Sequence, residues 1–105
     1  MAKQYQYTKT KEIFSKEKEL PKLPGVYKFY DEKNKILYIG KAKSLANRLK
    51  SYLTSSKERK KSELIDKIKF LEIFITKTES DALLLEQNLI RKLKPPFNVQ
   101  FRDDK

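Results

Sequence analysis

Two triplets, Gly25-Val26-Tyr27 and Tyr38-Ile39-Gly40, constrain this chain more than any other feature. They hold its only two glycines in 105 residues, where average usage gives roughly seven. Glycine is therefore reserved for two particular places, each close to a tyrosine. Val26 to Tyr30 and Ile36 to Ile39 are rich in β-branched and aromatic residues, and Asp31-Glu32-Lys33-Asn34-Lys35 between them supplies turn formers. The pattern predicts a β-hairpin that puts Tyr27 and Tyr38 on neighbouring strands, close enough to serve one site. The same residues also suit a plain hairpin, with one glycine entering a strand, another leaving, and tyrosines chosen for β-propensity.

Around the hairpin the punctuation is clear. Leu20-Pro21-Lys22-Leu23-Pro24 is extended, because each proline pushes its predecessor out of the helical region. Ser44 is a candidate N-cap for a helix through Leu53, with Leu45, Leu49 and Leu53 as its buried stripe. A second helix over 58–71 turns Leu64, Ile65, Ile68 and Leu71 inward. Glu72 to Lys77 reads as a strand. Thr78-Glu79-Ser80-Asp81 resembles a capping box opening a helix over 79–94, which Pro95-Pro96 stops. Phe97, Val99 and Phe101 alternate with polar residues and read as a last short strand or extended segment. Residues 1–19 form a basic arm or a short helix. The order ββααβαβ makes an α/β sandwich on a small, mainly antiparallel sheet.

Composition narrows the chemistry. The net charge of +11, with 25 basic residues against 14 acidic ones, points to a polyanionic partner, nucleic acid before an anionic membrane face. The chain has no cysteine and no histidine. That excludes disulfides, Cys-based zinc sites, histidine-dependent nucleases and Ser-His-Asp hydrolases. Proton transfer is left to tyrosine, lysine, carboxylate or metal-bound water. No apolar run approaches the roughly 18 residues of a membrane span, and nothing in the sequence resembles a signal peptide. The expected location is the cytoplasm, with no membrane partner.

Within that inventory Glu86 stands out. Its helical neighbours are Ala82, Leu83, Leu89 and Ile90, and a carboxylate on an apolar face is costly unless paired or metal-bound. A rim position paired to a lysine is the structural alternative. Arg48 is one of four arginines among 25 basic residues, and its planar fork suits two-pronged phosphate binding. Tyr52 shares its helix face. Lys41 and Lys43 follow the second strand directly and are candidate phosphate contacts.

The segment LPGVYKFYDEKNKILYIGKAKSLANRLKSYL, residues 23–53, resembles the GIY-YIG nuclease family, in particular the amino-terminal endonuclease domains of its UvrC branch. The continuous Tyr38-Ile39-Gly40-Lys41-Ala42-Lys43, followed by Leu45, Arg48, Leu49, Ser51 and Tyr52, carries the likeness. Glu86 in EQNLIRKLKPPFNV and Asn98 extend it, so that it covers residues 20–105. Val26 stands where the family name has isoleucine.

The resemblance implies a central three-stranded, mainly antiparallel sheet flanked by helices, and hydrolysis of a DNA phosphodiester with one divalent ion, Mg²⁺ or Mn²⁺. It assigns Tyr27, Tyr38, Lys41, Arg48, Tyr52, Glu86 and Asn98 to the catalytic site, Glu86 to the metal, and Lys41, Lys43 and Arg48 to DNA. A single inward carboxylate suits a one-metal site. An ordinary tyrosine ionises at about pH 10, so a tyrosine base needs cationic help; whether Tyr27 or Tyr38 serves stays open. The family context further implies a domain of a longer bacterial protein, monomeric alone, acting on damaged duplex DNA. There the protein is recruited to a UvrB–DNA complex and cuts on the 3′ side of a lesion during nucleotide excision repair. A free-standing nuclease for structured DNA and a non-catalytic basic nucleic-acid-binding module are the alternatives.

Overall fold

The turn residues between the two triplets bind one another. Asp31 Oδ1 accepts the N–H groups of Lys33 and Lys35, both at 2.9 Å. Asn34 takes the left-handed conformation, φ 61°, which asparagine tolerates. The turn joins β2 (Gly25–Tyr30) to β3 (Ile36–Ala42) as an antiparallel pair. The computed structural model describes residues 3–7, 20–54 and 59–102. Within them, β4 (Phe70–Ile75) pairs antiparallel with the other side of β2, and β1 (Lys3–Tyr7) pairs antiparallel with β4. The sheet order is β1-β4-β2-β3.

The antiparallel trio β4-β2-β3 is the sheet the sequence predicts, and β1 is an addition to it. An arm or short helix was expected over 1–19; Lys3–Tyr7 is instead a strand, in register from Lys3 opposite Ile75 to Tyr7 opposite Leu71. Its partner edge lies far along the chain, so no local pattern announces it. Ile13 and Phe14 lie outside the described residues.

Helices α1 (Leu45–Thr54), α2 (Arg59–Lys67), α3 (Glu79–Leu93) and α4 (Pro96–Arg102) complete the order βββααβαα. The second helix is shorter than its apolar spacing predicts, because the chain enters β4 at Phe70 and Leu71 is buried from a strand. The final segment is a helix rather than a strand. The Pro95 carbonyl accepts the N–H groups of Asn98 and Val99 at 3.1 and 3.4 Å, and Pro96 occupies the first helical position, where proline fits. Phe97 is buried on one side of α4 and Val99 is 57% exposed on the other.

The sheet carries a core on each face. One holds Tyr27, Phe29, Leu45, Leu49, Leu64, Ile68, Leu71 and Ile73. The other holds Val26, Ile39 and Ala82, with Phe74, Leu85, Leu89 and Ile90 against it. On that second face an ion pair is buried. Lys28 Nζ lies 3.2 Å from Glu72 Oε1, and the Tyr30 hydroxyl donates to the same oxygen at 2.9 Å. The ammonium also stands 5.5 Å from the centroids of the Tyr30 and Phe74 rings. Burial alone would lower the Lys28 pKa; hydrogen bonding and charge from Tyr30 and Glu72 outweigh it and hold it above the ordinary lysine value.

Removing one partner of this pair strands the other in the core. Glu72→Ala is expected to destabilise by about 3–5 kcal/mol in urea unfolding. The double replacement Lys28→Met with Glu72→Leu is expected to recover most of that loss.

Candidate active site

The sheet order leaves β3 at an edge, and an edge strand presents unpaired backbone groups. Two side chains from the end of the chain satisfy them. Asn98 grips Ile39 from both sides of its carboxamide: Oδ1 accepts the Ile39 N–H and Nδ2 donates to the Ile39 carbonyl, each at 2.8 Å. Two residues on, the Lys41 N–H donates to the Glu86 carboxylate. Asn98 is thus a clamp on the strand between Tyr38 and Gly40.

A bulge aims Tyr38. Phe29 pairs with Tyr38 but Tyr30 pairs with Ile36, so Leu37 has no opposite number. Leu37 and Tyr38 consequently both pack toward the Tyr27–Phe29 core, while Ile36 and Ile39 pack toward the other. The Tyr27 and Tyr38 ring centroids are 6.2 Å apart. Tyr27 lies directly across from Gly40, and a Cβ on Gly40 would run into its ring and hydroxyl. Only glycine lets the ring cross the strand there. The Tyr27 hydroxyl accepts from Arg48 Nε at 3.3 Å, and Tyr27 itself is 0% exposed.

Arg48 projects from α1, beside but outside its buried Leu45 and Leu49. The first N–H groups of α1 are all taken. Leu45 donates to Leu23 O at 2.9 Å, Ala46 to Pro21 O at 3.0 Å, Asn47 to Ser44 Oγ at 3.5 Å and Arg48 to Ser44 O at 3.0 Å. The proline-containing segment thus caps the helix and leaves none of these four N–H groups open. Tyr52 is on α1 one turn beyond Arg48; its side chain, like that of Leu53, lies outside the described residues.

Helix α3 starts at the expected cap: Thr78 Oγ1 accepts the Asp81 N–H at 3.1 Å. It ends where Lys94 turns left-handed, φ 47°. Its packed stripe is Ala82, Leu85, Leu89 and Ile90. Leu83 was expected to share the apolar surroundings of Glu86; it is 40% exposed, because the helix phase turns it outward. Glu86 is half-buried at the rim of the stripe. Burial raises its carboxyl above the ordinary glutamate value, against the opposing pull of the Lys41 N–H, the Lys41 ammonium and the Arg48 guanidinium.

These elements meet at a cleft of about 610 Å³ lined by Tyr38, Lys41, Ala42, Lys43, Ser44, Asn47, Arg48, Ser51 and Glu86. Tyr38, Lys41, Lys43, Arg48 and Glu86 therefore line one cleft. Tyr27 sits beneath, behind Arg48, and Asn98 holds the strand. Ser44, Asn47 and Ser51 were not singled out as site residues; their helical spacing around Arg48 is the signal that marks them. Among the described residues no three His, Cys, Asp or Glu side chains cluster. A lone carboxylate that burial disfavours as an anion fits a single hard divalent ion completed by water and phosphate oxygens.

Two changes probe this arrangement. Because the folded Glu86 carboxyl ionises at higher pH than the unfolded one, its stabilising contribution is full at acid pH and fades as pH rises through the folded value. Without divalent metal, Glu86→Gln is expected to melt higher than the wild type near neutral pH. The gap should close below the ordinary glutamate range. Gly40→Ala is expected to cost about 1–3 kcal/mol by overpacking Tyr27, and near-ultraviolet circular dichroism should report the displaced ring.

Residues 23–99 match the UvrC-like GIY-YIG domain. The UvrABC system protein C of Psychrobacter sp. (strain PRwf-1) is 51% identical over 89 residues, 84% of this chain and 14% of that protein. That of Saccharophagus degradans is 49% identical over the same shares. The chain thus spans 14% of the length of these curated relatives. The GIY-YIG N-terminal endonuclease domain of UvrC from Thermotoga maritima, solved with magnesium as its catalytic divalent cation, is 38% identical. It matches with a TM-score of 0.75 over 82% of this chain and 94% of that one. The same domain with a single asparagine-to-alanine change, also bound to its catalytic cation, matches with a TM-score of 0.75 at 38% identity, over 82% of this chain and 93% of that one. The edge-strand cleft and the paired triplets are accordingly those of a GIY-YIG endonuclease domain, and the chain belongs to the UvrC-like branch of that family.

Proposed function

We propose that this domain hydrolyses a DNA phosphodiester with one divalent cation, Mg²⁺ or Mn²⁺, held by Glu86. The observation that carries this reading is the pairing, across one cleft, of a half-buried carboxylate with an exposed arginine and a tyrosine. A bound cation supplies Lewis-acid polarisation of the phosphoryl oxygen and charge neutralisation.

The chain's own residues do the rest. Arg48 faces the phosphate and stabilises the charge that develops on it. Its Nε is tied to the Tyr27 hydroxyl, so the guanidinium is held before substrate arrives. Tyr38 lines the cleft whereas Tyr27 is sealed from solvent; Tyr38 is therefore the tyrosine that takes the proton from the attacking water. The Lys41 ammonium beside Glu86 supplies the cationic help such a base needs, and Lys41 and Lys43 hold the DNA backbone without reading bases. Asn98 keeps Tyr38 and Lys41 in place through the backbone of Ile39. The family resemblance adds Tyr52, on the same helix as Arg48, to the proposed catalytic set.

The same kinship supports a biological setting. The domain acts in a longer bacterial UvrC-type protein of nucleotide excision repair, recruited to damaged duplex DNA bound by UvrB, and makes the incision 3′ to the lesion in the cytoplasm.

Nicking of damaged duplex in Mg²⁺ or Mn²⁺, with and without UvrB, tests the proposal. Glu86→Gln is expected to abolish nicking. Arg48→Ala should lower its rate by about 10²–10³, with Arg48→Lys restoring only part of it. Tyr38→Phe should lose about 10²–10⁴, and Tyr27→Phe less. The opposite ranking of the tyrosines would overturn the assignment of the base.

A further inference from the structure

The cleft is larger than the catalytic groups require. Its volume of about 610 Å³ lies in the roughly 300–1,000 Å³ range that encloses whole organic ligands, well beyond a single phosphate. Besides Tyr38, Lys41, Arg48 and Glu86, its wall includes Lys43, Ser44, Asn47 and Ser51. Ser44, Asn47, Arg48 and Ser51 recur at i, i+3, i+4 and i+7, so they form one stripe along the start of α1. At 1.5 Å per residue the stripe is about 10 Å long, roughly three axial steps of 3.4 Å along a DNA strand. Arg48 lies within the stripe and has polar neighbours on both sides of it.

The chemistry of that stripe is unusual for this surface. Lysine and arginine make up 25 of the 105 residues, yet the neighbours of Arg48 in the stripe are two hydroxyls and a carboxamide. Lys50, on the same helix, is exposed but does not line the cleft. The hydroxyls already serve the helix: Ser44 caps it, and Ser51 Oγ donates to the Arg48 carbonyl at 2.6 Å. Asn47 is different. It is exposed in the first turn, its backbone N–H rather than its side chain engages the cap, and alanine would favour the helix more. Its carboxamide adds hydrogen-bonding capacity to the cleft without adding charge.

We infer that Asn47 forms, with Lys43, a subsite for the sugar–phosphate unit adjoining the scissile phosphodiester. Its carboxamide fixes which bond of the strand lies between Arg48 and Glu86. This rests on the nuclease reading for the identity of the scissile bond. A neutral contact of this kind positions the backbone while releasing no counterion.

Fluorescence anisotropy with a labelled duplex, in EDTA over a range of salt, tests the subsite. Asn47→Ala is expected to bind about tenfold more weakly, with the slope of log affinity against log salt unchanged. Lys50→Ala should lose about twofold or less, any loss coming with a shallower slope, by at most about 0.9. The melting temperature of Lys50→Ala should stay at the wild-type value and that of Asn47→Ala at or slightly above it, since alanine favours the helix. Wild-type binding by Asn47→Ala, or a greater loss in Lys50→Ala, would overturn the subsite, because the surface field alone would then account for affinity. Nicking separates the two readings. With Mg²⁺, Asn47→Ala should raise KM about tenfold with kcat within about twofold. A wild-type protein that never nicks overturns the nuclease reading together with the register-setting role, whereas equal anisotropy curves overturn the subsite alone.

Discussion

Among the described residues strand β3 has a strand neighbour on one side only, and the site is organised around satisfying its other side. Outward N–H and C=O groups left in a partly buried place cost too much to remain unmade. Ile39 has both of its groups bound by Asn98, and the Lys41 N–H is bound by Glu86. The requirement that protects the sheet edge also draws α3 and α4 to the strand that bears Tyr38 and Lys41. Fold and site are therefore solved by the same few hydrogen bonds. A loose β3 would misplace the tyrosine, the lysine and the carboxylate together.

Two glutamates on the same side of the sheet show how surroundings decide what a carboxylate is for. Glu72 is buried with an ammonium 3.2 Å away and a phenol on the same oxygen. It is fully compensated and serves the fold. Glu86 is half-buried and accepts one backbone N–H, with Lys41 and Arg48 near but not enough to cancel the cost of burial. That shortfall suits a ligand position, since a divalent ion supplies what the protein withholds.

Local signals carried the sequence a long way. The hairpin, its Asp31–Lys35 turn, the Ser44 and Thr78 caps and the end of α3 at Lys94 all depend on residues within a few positions, and all are where the pattern puts them. Strand β1 was hidden because its pairing is with β4, at the far end of the chain. Helix α4 was misread because Phe97, Val99 and Phe101 fit a strand's alternation, and Pro95-Pro96 reads as a stop although proline also opens helices. The Lys28–Glu72 pair was equally invisible: each is an ordinary charge in a strand until register sets them side by side. In the site, Glu86 stood out by its apolar neighbours, whereas Tyr27, Tyr38, Lys41, Arg48 and Asn98 were singled out by the family resemblance, since each also suits an ordinary strand, helix or surface. Their division of labour was not legible, because Tyr27 and Tyr38 look alike in sequence and differ only in which one the bulge at Leu37 turns toward the cleft.

The crossing of Tyr27 over Gly40 bears on how such a chain can change over time. A ring occupying the space of a missing Cβ ties two positions on different strands into one steric decision. A side chain appearing at 40 first must displace the ring at 27, and losing the ring first removes the hydroxyl that steadies Arg48. Each order of single steps passes through a weakened protein, with an overpacked ring in one case and an unsteadied arginine in the other. The tyrosine of one triplet and the glycine of the other are thus one steric unit, and a chain that keeps the tyrosine has reason to keep the glycine.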